Sequence, residues 1–301
     1  MNRKFLIIFS ATILSVLIFF LLVSFLFLRV EKEIFNSQSI SNSHTQKEET
    51  LESFFGNIKD YELAFADSQN LEKKRIVAGI TSHHFLAKDL IARFYSGVSN
   101  KVENIVLIGP DHYDLLTSRE AEAVTTKITW ATPYGNIEAN NNSIENILNN
   151  NIGIEINDNI FKMEHSIYVE IPFIKKAFPQ AKVIPLVIKN SDNYHDFETM
   201  GRELKDILED ETIMIISSDF SHGLTEIDAK KYDDQSIDIL ENLKIENINK
   251  LNCDCKACMA IMSGFLGDNK NFHLIENKNS ADFGSPDEKV TSYVSGYFLK
   301  E

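Results

Sequence analysis

Ile213 to Ile216 are four consecutive apolar residues that read as a strand buried on both faces, the kind found inside α/β sheets. The run stops abruptly in Ser217, Ser218, Asp219, Ser221 and His222. In open α/β folds, ligand sites form where strands end at their carboxyl edge. A carboxylate and an imidazole three residues apart can share a proton or a metal ion there. Taken alone, the stretch is equally a polar turn in which Asp219 caps the next helix.

Other strands of the chain end in the same way. Arg75 to Ile80 reads as a strand followed by His83 and His84, and Asn104 to Ile108 as one closed by Gly109-Pro110-Asp111-His112. His165 opens a helix in Glu164-His165-Ser166. Neutral imidazoles arriving from several loops at one sheet edge are what a metal site requires. Each histidine by itself is as readily a surface or capping residue, and His44, His195 and His273 have no such setting. Asp219 and Glu164 are placed to orient ligand histidines as carboxylate partners, or to act as a general base.

Between the strands lie helical patterns: Leu86 to Gly97, Ser143 to Asn149, Glu164 to Phe178, Phe197 to Leu208, Asp228 to Leu240 and Cys255 to Leu266. Pro172 must kink the third of these or sit near a first turn. Further strands are expected at Ala121 to Lys127, Lys182 to Ile188 and Thr291 to Leu299, and Pro185 argues for an edge or a bulge in the second. Strands separated by helices of this length indicate a single α/β domain with a central, mostly parallel or mixed sheet flanked by helices.

The amino terminus has a different composition. Phe5 to Leu28 is 24 residues without a charge, about 36 Å long as a helix, enough to span a bilayer. It ends in Phe27-Leu28-Arg29, a poor cleavage site. An uncleaved signal anchor is therefore expected, with a cleaved signal peptide as the alternative. Arg3 and Lys4 before the span, against Arg29 and Lys32 after it, favour a cytoplasmic amino terminus and a soluble domain outside the cytoplasm. The organisation expected is residues 1–4 cytoplasmic, 5–28 transmembrane and in contact with the lipid bilayer, 29–72 a flexible tether with a short helix, and 73–301 the folded domain. The chain has 30 basic and 44 acidic side chains; so acidic a surface repels nucleic acid.

Three cysteines, Cys253, Cys255 and Cys258, fall within six residues. They cannot make a disulfide framework, and a closed structural zinc site needs a fourth ligand. Two readings remain: one cysteine joins the histidines, or all three pack at a helix start. A thiolate with imidazoles suits iron or copper, with zinc as a further candidate. No Gly-x-Gly-x-x-Gly, Walker loop or Gly-x-Ser-x-Gly elbow is present.

In order, the chain carries Ser82-His83, Gly109 to His112, Trp130 to Pro133, Glu164 to Ile167 with Ile171 to Phe173, Ser217 to His222, and a late cysteine best matched by Cys255. Across about Ile76 to Tyr297 these pieces resemble the Memo family, also called AmmeMemoRadiSam system protein B. The resemblance implies a fold like the LigB-type class III extradiol dioxygenases, whose non-haem iron sits at one sheet edge. It implies that His83, His112 and Cys255 are metal ligands, with Asp219, His222 and His165 in the same cleft as catalytic residues. The first motif departs from the family pattern, which leaves His84 as a substitute ligand; the last departs too, leaving Cys258 or Cys253. A radical-SAM partner enters through the resemblance alone, and the amino-terminal span argues against it. The function expected is a metal-dependent oxidoreductase or redox-active metal binder acting on a small molecule or peptide. A non-catalytic peptide- or phosphopeptide-binding module and a metal-dependent hydrolase are the alternatives.

Overall fold

The computed structural model describes residues 50–53, 57–68, 71–99 and 101–300. The expected transmembrane span, its cytoplasmic lead and most of the tether lie outside the described residues. Among the described residues no helix is long and apolar enough to cross a membrane.

In chain order the domain opens with β1 (Thr50–Glu52), α1 (Ile58–Ala66), β2 (Ile76–Thr81), α2 (Lys88–Gly97) and β3 (Asn104–Pro110). Then come β4 (Ala123–Thr125), β5 (Thr129–Thr132), β6 (Gly135–Ile137), α3 (Asn141–Asn149), β7 (Ile154–Ile156) and two short helices, α4 (Asp158–Phe161) and α5 (His165–Tyr168). The second half holds α6 (Ile171–Ala177), β8 (Lys182–Ile188), α7 (Tyr194–Ile207), β9 (Ile213–Ser217), β10 (His222–Leu224) and α8 (Glu226–Glu241). It closes with α9 (Lys256–Leu266), β11 (Phe272–Asn279) and β12 (Val290–Leu299).

A nine-stranded mixed sheet in the order β10-β12-β2-β9-β3-β8-β4-β7, with β11 also on β12, forms the centre. Its middle strands β2, β9, β3 and β8 are parallel neighbours. They are also its most apolar runs, as strands covered on both faces must be. The two faces have separate cores. Phe197, Leu204, Ile261 and Phe265 from α7 and α9 fill one, and Phe94, Tyr95, Phe173 and Ile174 from α2 and α6 fill the other.

The compact unit begins at Thr50, not near Lys73. Leu51 on β1 registers with Trp130, and the fully buried Tyr61 of α1 packs edge-on against Phe173 at 4.9 Å between ring centroids. The segment looks like a tether in sequence because its partners lie some 80 to 110 residues further on. Pro172 divides the expected long helix, falling in the first turn of α6 where its missing N–H costs nothing. Pro185 lies inside the sheet, not at an edge. On the flank toward β4, pairing begins only at Leu186, so the proline sits where the neighbouring strand has not started.

Candidate metal and acid–base site

The register of the central strands assembles the site. Thr81 of β2 stands opposite Ser217 of β9, and Ile108 of β3 opposite Ile216. Three parallel neighbours therefore end side by side, and the residues following each one, His83, His112 and Asp219, come to a single edge. A fourth wall is the turn leading into α9, where the Asp254 N–H donates to the Asp219 carbonyl at 3.0 Å.

Asp254 is the residue that sequence reasoning missed. Its Oδ2 lies 3.3 Å from His83 Nε2, 3.7 Å from His112 Nε2 and 4.0 Å from His222 Nε2. Two other groups fix the carboxylate: Ser218 Oγ donates to Oδ1 at 2.7 Å, and the Asp219 N–H to Oδ2 at 3.1 Å. The signal was present but hidden. Asp254 is the one acid within the cysteine run, flanked on both sides by the cysteines that carry the expectation.

Cys255, expected as the third ligand, is not among the converging donors. It is the N-cap of α9, and its Sγ turns back to accept the Cys258 N–H at 3.3 Å and is disulfide-bonded to Cys258. The helix start turns Cys255 onto its own first turn while the residue before it reaches the cleft. Cys258 is bonded in the same pair, and Cys253 is free but outside both clusters of converging donors. Burial pushes the Cys253 thiol up to about 12.

The two histidines nearest Asp254 are each held by a partner on the other ring nitrogen. His83 Nδ1 is 3.2 Å from Ser217 Oγ. Glu164, fully buried, grips His112 twice: Oε1 is 2.7 Å from His112 Nδ1, and Oε2 accepts the His112 N–H at 3.0 Å. Such contacts fix the tautomer and ring orientation of an imidazole ligand and aim Nε2 at the cleft. Ser82 Oγ donates to Asp219 Oδ1 at 2.5 Å, and Asp219 Oδ2 lies 3.7 Å from His83 Nε2. His165 packs against His112 with the rings tilted by 34° and their centroids 4.1 Å apart. His84 instead stacks on Tyr293 and belongs to neither donor cluster. His222 is half exposed at the mouth.

Among the described residues two sets of three donors lie within 4.8 Å of one another: His83, His112 and His165, and His83, Asp219 and Asp254. His83 is common to both. Electrostatics separates the imidazoles. Burial alone would lower His83, but the Asp219 and Asp254 carboxylates outweigh it and push the ring up to about 10. Burial also opposes charge on His112, and its bonds to Asp254 and Glu164 raise it to about 9. His165 goes the other way, to about 4, through burial and the neighbouring positive His83 and His112. Burial works against ionised Asp254, yet His83 and His112 hold it well below the ordinary carboxylate range. The cleft thus places an ionised carboxylate between two imidazoles, with a neutral third imidazole alongside.

A cavity of about 190 Å³ opens beside this cluster, bounded by Pro110, His112, Lys189, Asp254, Cys255 and Ala257. A wider one of about 640 Å³ lies at the opposite edge, where β2 and β9 begin. Its charged rim pairs within itself, Glu211 lying 3.5 Å from Arg75 and 3.3 Å from Lys300. No histidine or cysteine lines it.

Comparison with known proteins adds ancestry to this geometry. The family model described as Memo-like protein matches residues 42–297. A MEMO1 family protein of Aquifex aeolicus (strain VF5) is 29% identical over 208 residues, 65% of this chain and 76% of the relative. One from Methanosarcina mazei is 23% identical over 239 residues, 75% of this chain and 86% of the relative. One from Thermococcus kodakarensis is 30% identical over 159 residues, 50% and 54% of the two chains. Among solved structures, an uncharacterized protein from Escherichia coli K12 superposes with a TM-score of 0.47 at 10% identity, over 73% of this chain and 99% of that one.

Proposed function

The chain belongs to the Memo-like protein family, and on that premise we propose that its histidine cleft is a mononuclear metal site serving a metal-dependent oxidoreductase. His83, His112 and Asp254 would be the ligands, and a small molecule or peptide the substrate. The observation that carries the reading is that one carboxylate oxygen, Asp254 Oδ2, meets Nε2 of both histidines while Ser217 and Glu164 occupy their other nitrogens. Donors about 2.1 Å from one ion stand ~3.0–3.4 Å apart. The two separations from Asp254, 3.3 and 3.7 Å, fit that closely. His83 already converges with His112 in one set of donors and with Asp254 in the other, and a bound ion would draw the three together.

A carboxylate in place of the expected thiolate would make the donor set harder. Two imidazoles and one carboxylate are the set of non-haem Fe(II) oxygenases, which favours iron over copper or zinc. A bound iron would supply Lewis acidity and one-electron chemistry. The surrounding residues would handle protons and orientation. Neutral His165, packed against His112, would offer a ring nitrogen to hydrogen-bond a substrate in the cleft. Ser82 would hold Asp219 toward His83, and half-exposed His222 would meet the substrate at the mouth. The uncharged stretch Phe5 to Leu28 supports a membrane tether for this domain, with its bilayer-spanning length as the argument.

Elemental analysis of the purified protein tests the proposal. About one iron per chain is expected, falling to a small fraction in His112→Ala with an unchanged circular dichroism spectrum. No transition metal after anaerobic loading, or the same content in the variant, would overturn it.

A further inference from the structure

We propose that Cys255–Cys258 is a redox-active disulfide of the cleft that exchanges with a low-molecular-weight thiol entering beside His112. The pair is a Cys-x-x-Cys at the first turn of α9, with Cα atoms 5.2 Å apart, a span that side chains bridge without backbone movement. Its separation of three residues closes a loop too short to constrain the unfolded chain much, so a purely stabilising role has little to act on. The helix is already held by its packing, since every residue from Ala257 to Leu266 is buried.

The two sulfurs are not equivalent. Cys258 is fully buried, whereas Cys255 keeps 5% exposure and lines the 190 Å³ cavity together with His112 and Asp254. Of the two cysteines only Cys255 lines that cavity, so a thiolate entering it reaches Cys255 before Cys258. The cavity is smaller than the ~300 Å³ at which pockets for drug-sized ligands begin, so it admits a thiol the size of free cysteine and not a peptide. Attack forms a bond to Cys255 Sγ, breaks the Cys255–Cys258 bond, and leaves the electron pair on Cys258 Sγ, which takes up a proton. A second thiolate then releases the first as a symmetrical disulfide and leaves Cys255 reduced. Two small thiols are thereby oxidised by two electrons and the protein pair is reduced by two. The reverse sequence, with a small disulfide as oxidant, restores the bond. The site stands independently of any bound ion because its readout is on the sulfurs themselves.

Equilibrating the folded, full-length protein with cysteine/cystine mixtures of graded ratio, then trapping free thiols by alkylation and weighing the protein, tests the proposal. The expected result is reversible conversion of two thiols together, mapped to Cys255 and Cys258, while Cys253 follows no two-thiol step. In Cys258→Ser, cystine should leave one cysteine adduct on Cys255. A pair that stays bonded in every mixture until the protein unfolds would overturn the proposal, as would a pair that is never bonded. Should Cys258→Ser fail to fold, the wild-type titration decides alone.

Discussion

Glu170 shows how a single side chain can tie pH to stability away from the cleft. It is fully buried, its Oε2 accepts from Tyr95 at 2.6 Å, and its Oε1 has no hydrogen-bond partner among the described residues. Burial raises its pKa to about 8 from the ordinary 4.5, against the opposing Tyr95 bond and the His83 charge. The native state therefore binds a proton that the unfolded chain has released. The stabilisation is complete below pH 4.5, falls by up to about 1.4 kcal/mol per unit above it, and is gone once the pH has passed 8. Glu170→Gln keeps the shape without the titration, so urea midpoints measured from pH 5 to 8 should lose part of their downward slope. An unchanged slope would contradict this assignment.

At the scale of elements, α9 does two jobs. It is apolar all round, as a helix inside a core must be, and the turn before it delivers Asp254 and Cys255. Its approach to α7 relies on two glycines. A Cβ on Gly264 would lie 1.9 Å from the Glu198 carbonyl oxygen, and one on Gly201 1.9 Å from that of Ile261. Both obstacles are backbone, so the helices must separate. Gly264→Ala should cost about 1–3 kcal/mol or more, typical of overpacking, and a thermal midpoint equal to wild type would refute the close contact. The helices and long strands were legible from apolar periodicity: α9 and β12 differ from the sequence reading by one residue at their starts. Strand β4 falls inside the expected Ala121 to Lys127, whereas the polar strand β11 and the other three-residue strands carry no apolar run long enough to read.

For the whole molecule, the informative fact is strand order. The sequence shows that several strands end in histidine or aspartate, but not that β2, β9 and β3 are neighbours. That adjacency turns scattered turns into one cleft, and it brings together the residues after Thr81, Pro110 and Ser217. The motif at Ser217 to His222 marked the correct edge. It could not reveal that Asp219 works alongside a second carboxylate, since Asp254 becomes visible only when α9 is docked beneath the strands. Sequence reading put the third candidate ligand on a thiol, and the proposal puts it on the neighbouring carboxylate, Asp254, which lies 3.3 Å from His83 and 3.7 Å from His112. The direct measurement is anaerobic Fe(II) titration of the wild-type protein and of Asp254→Asn, which preserves shape and removes the charge. One binding site per chain, weakened about 100-fold or more in the variant, is the predicted result. Equal affinity in the two proteins would contradict the assignment of Asp254 as the carboxylate ligand.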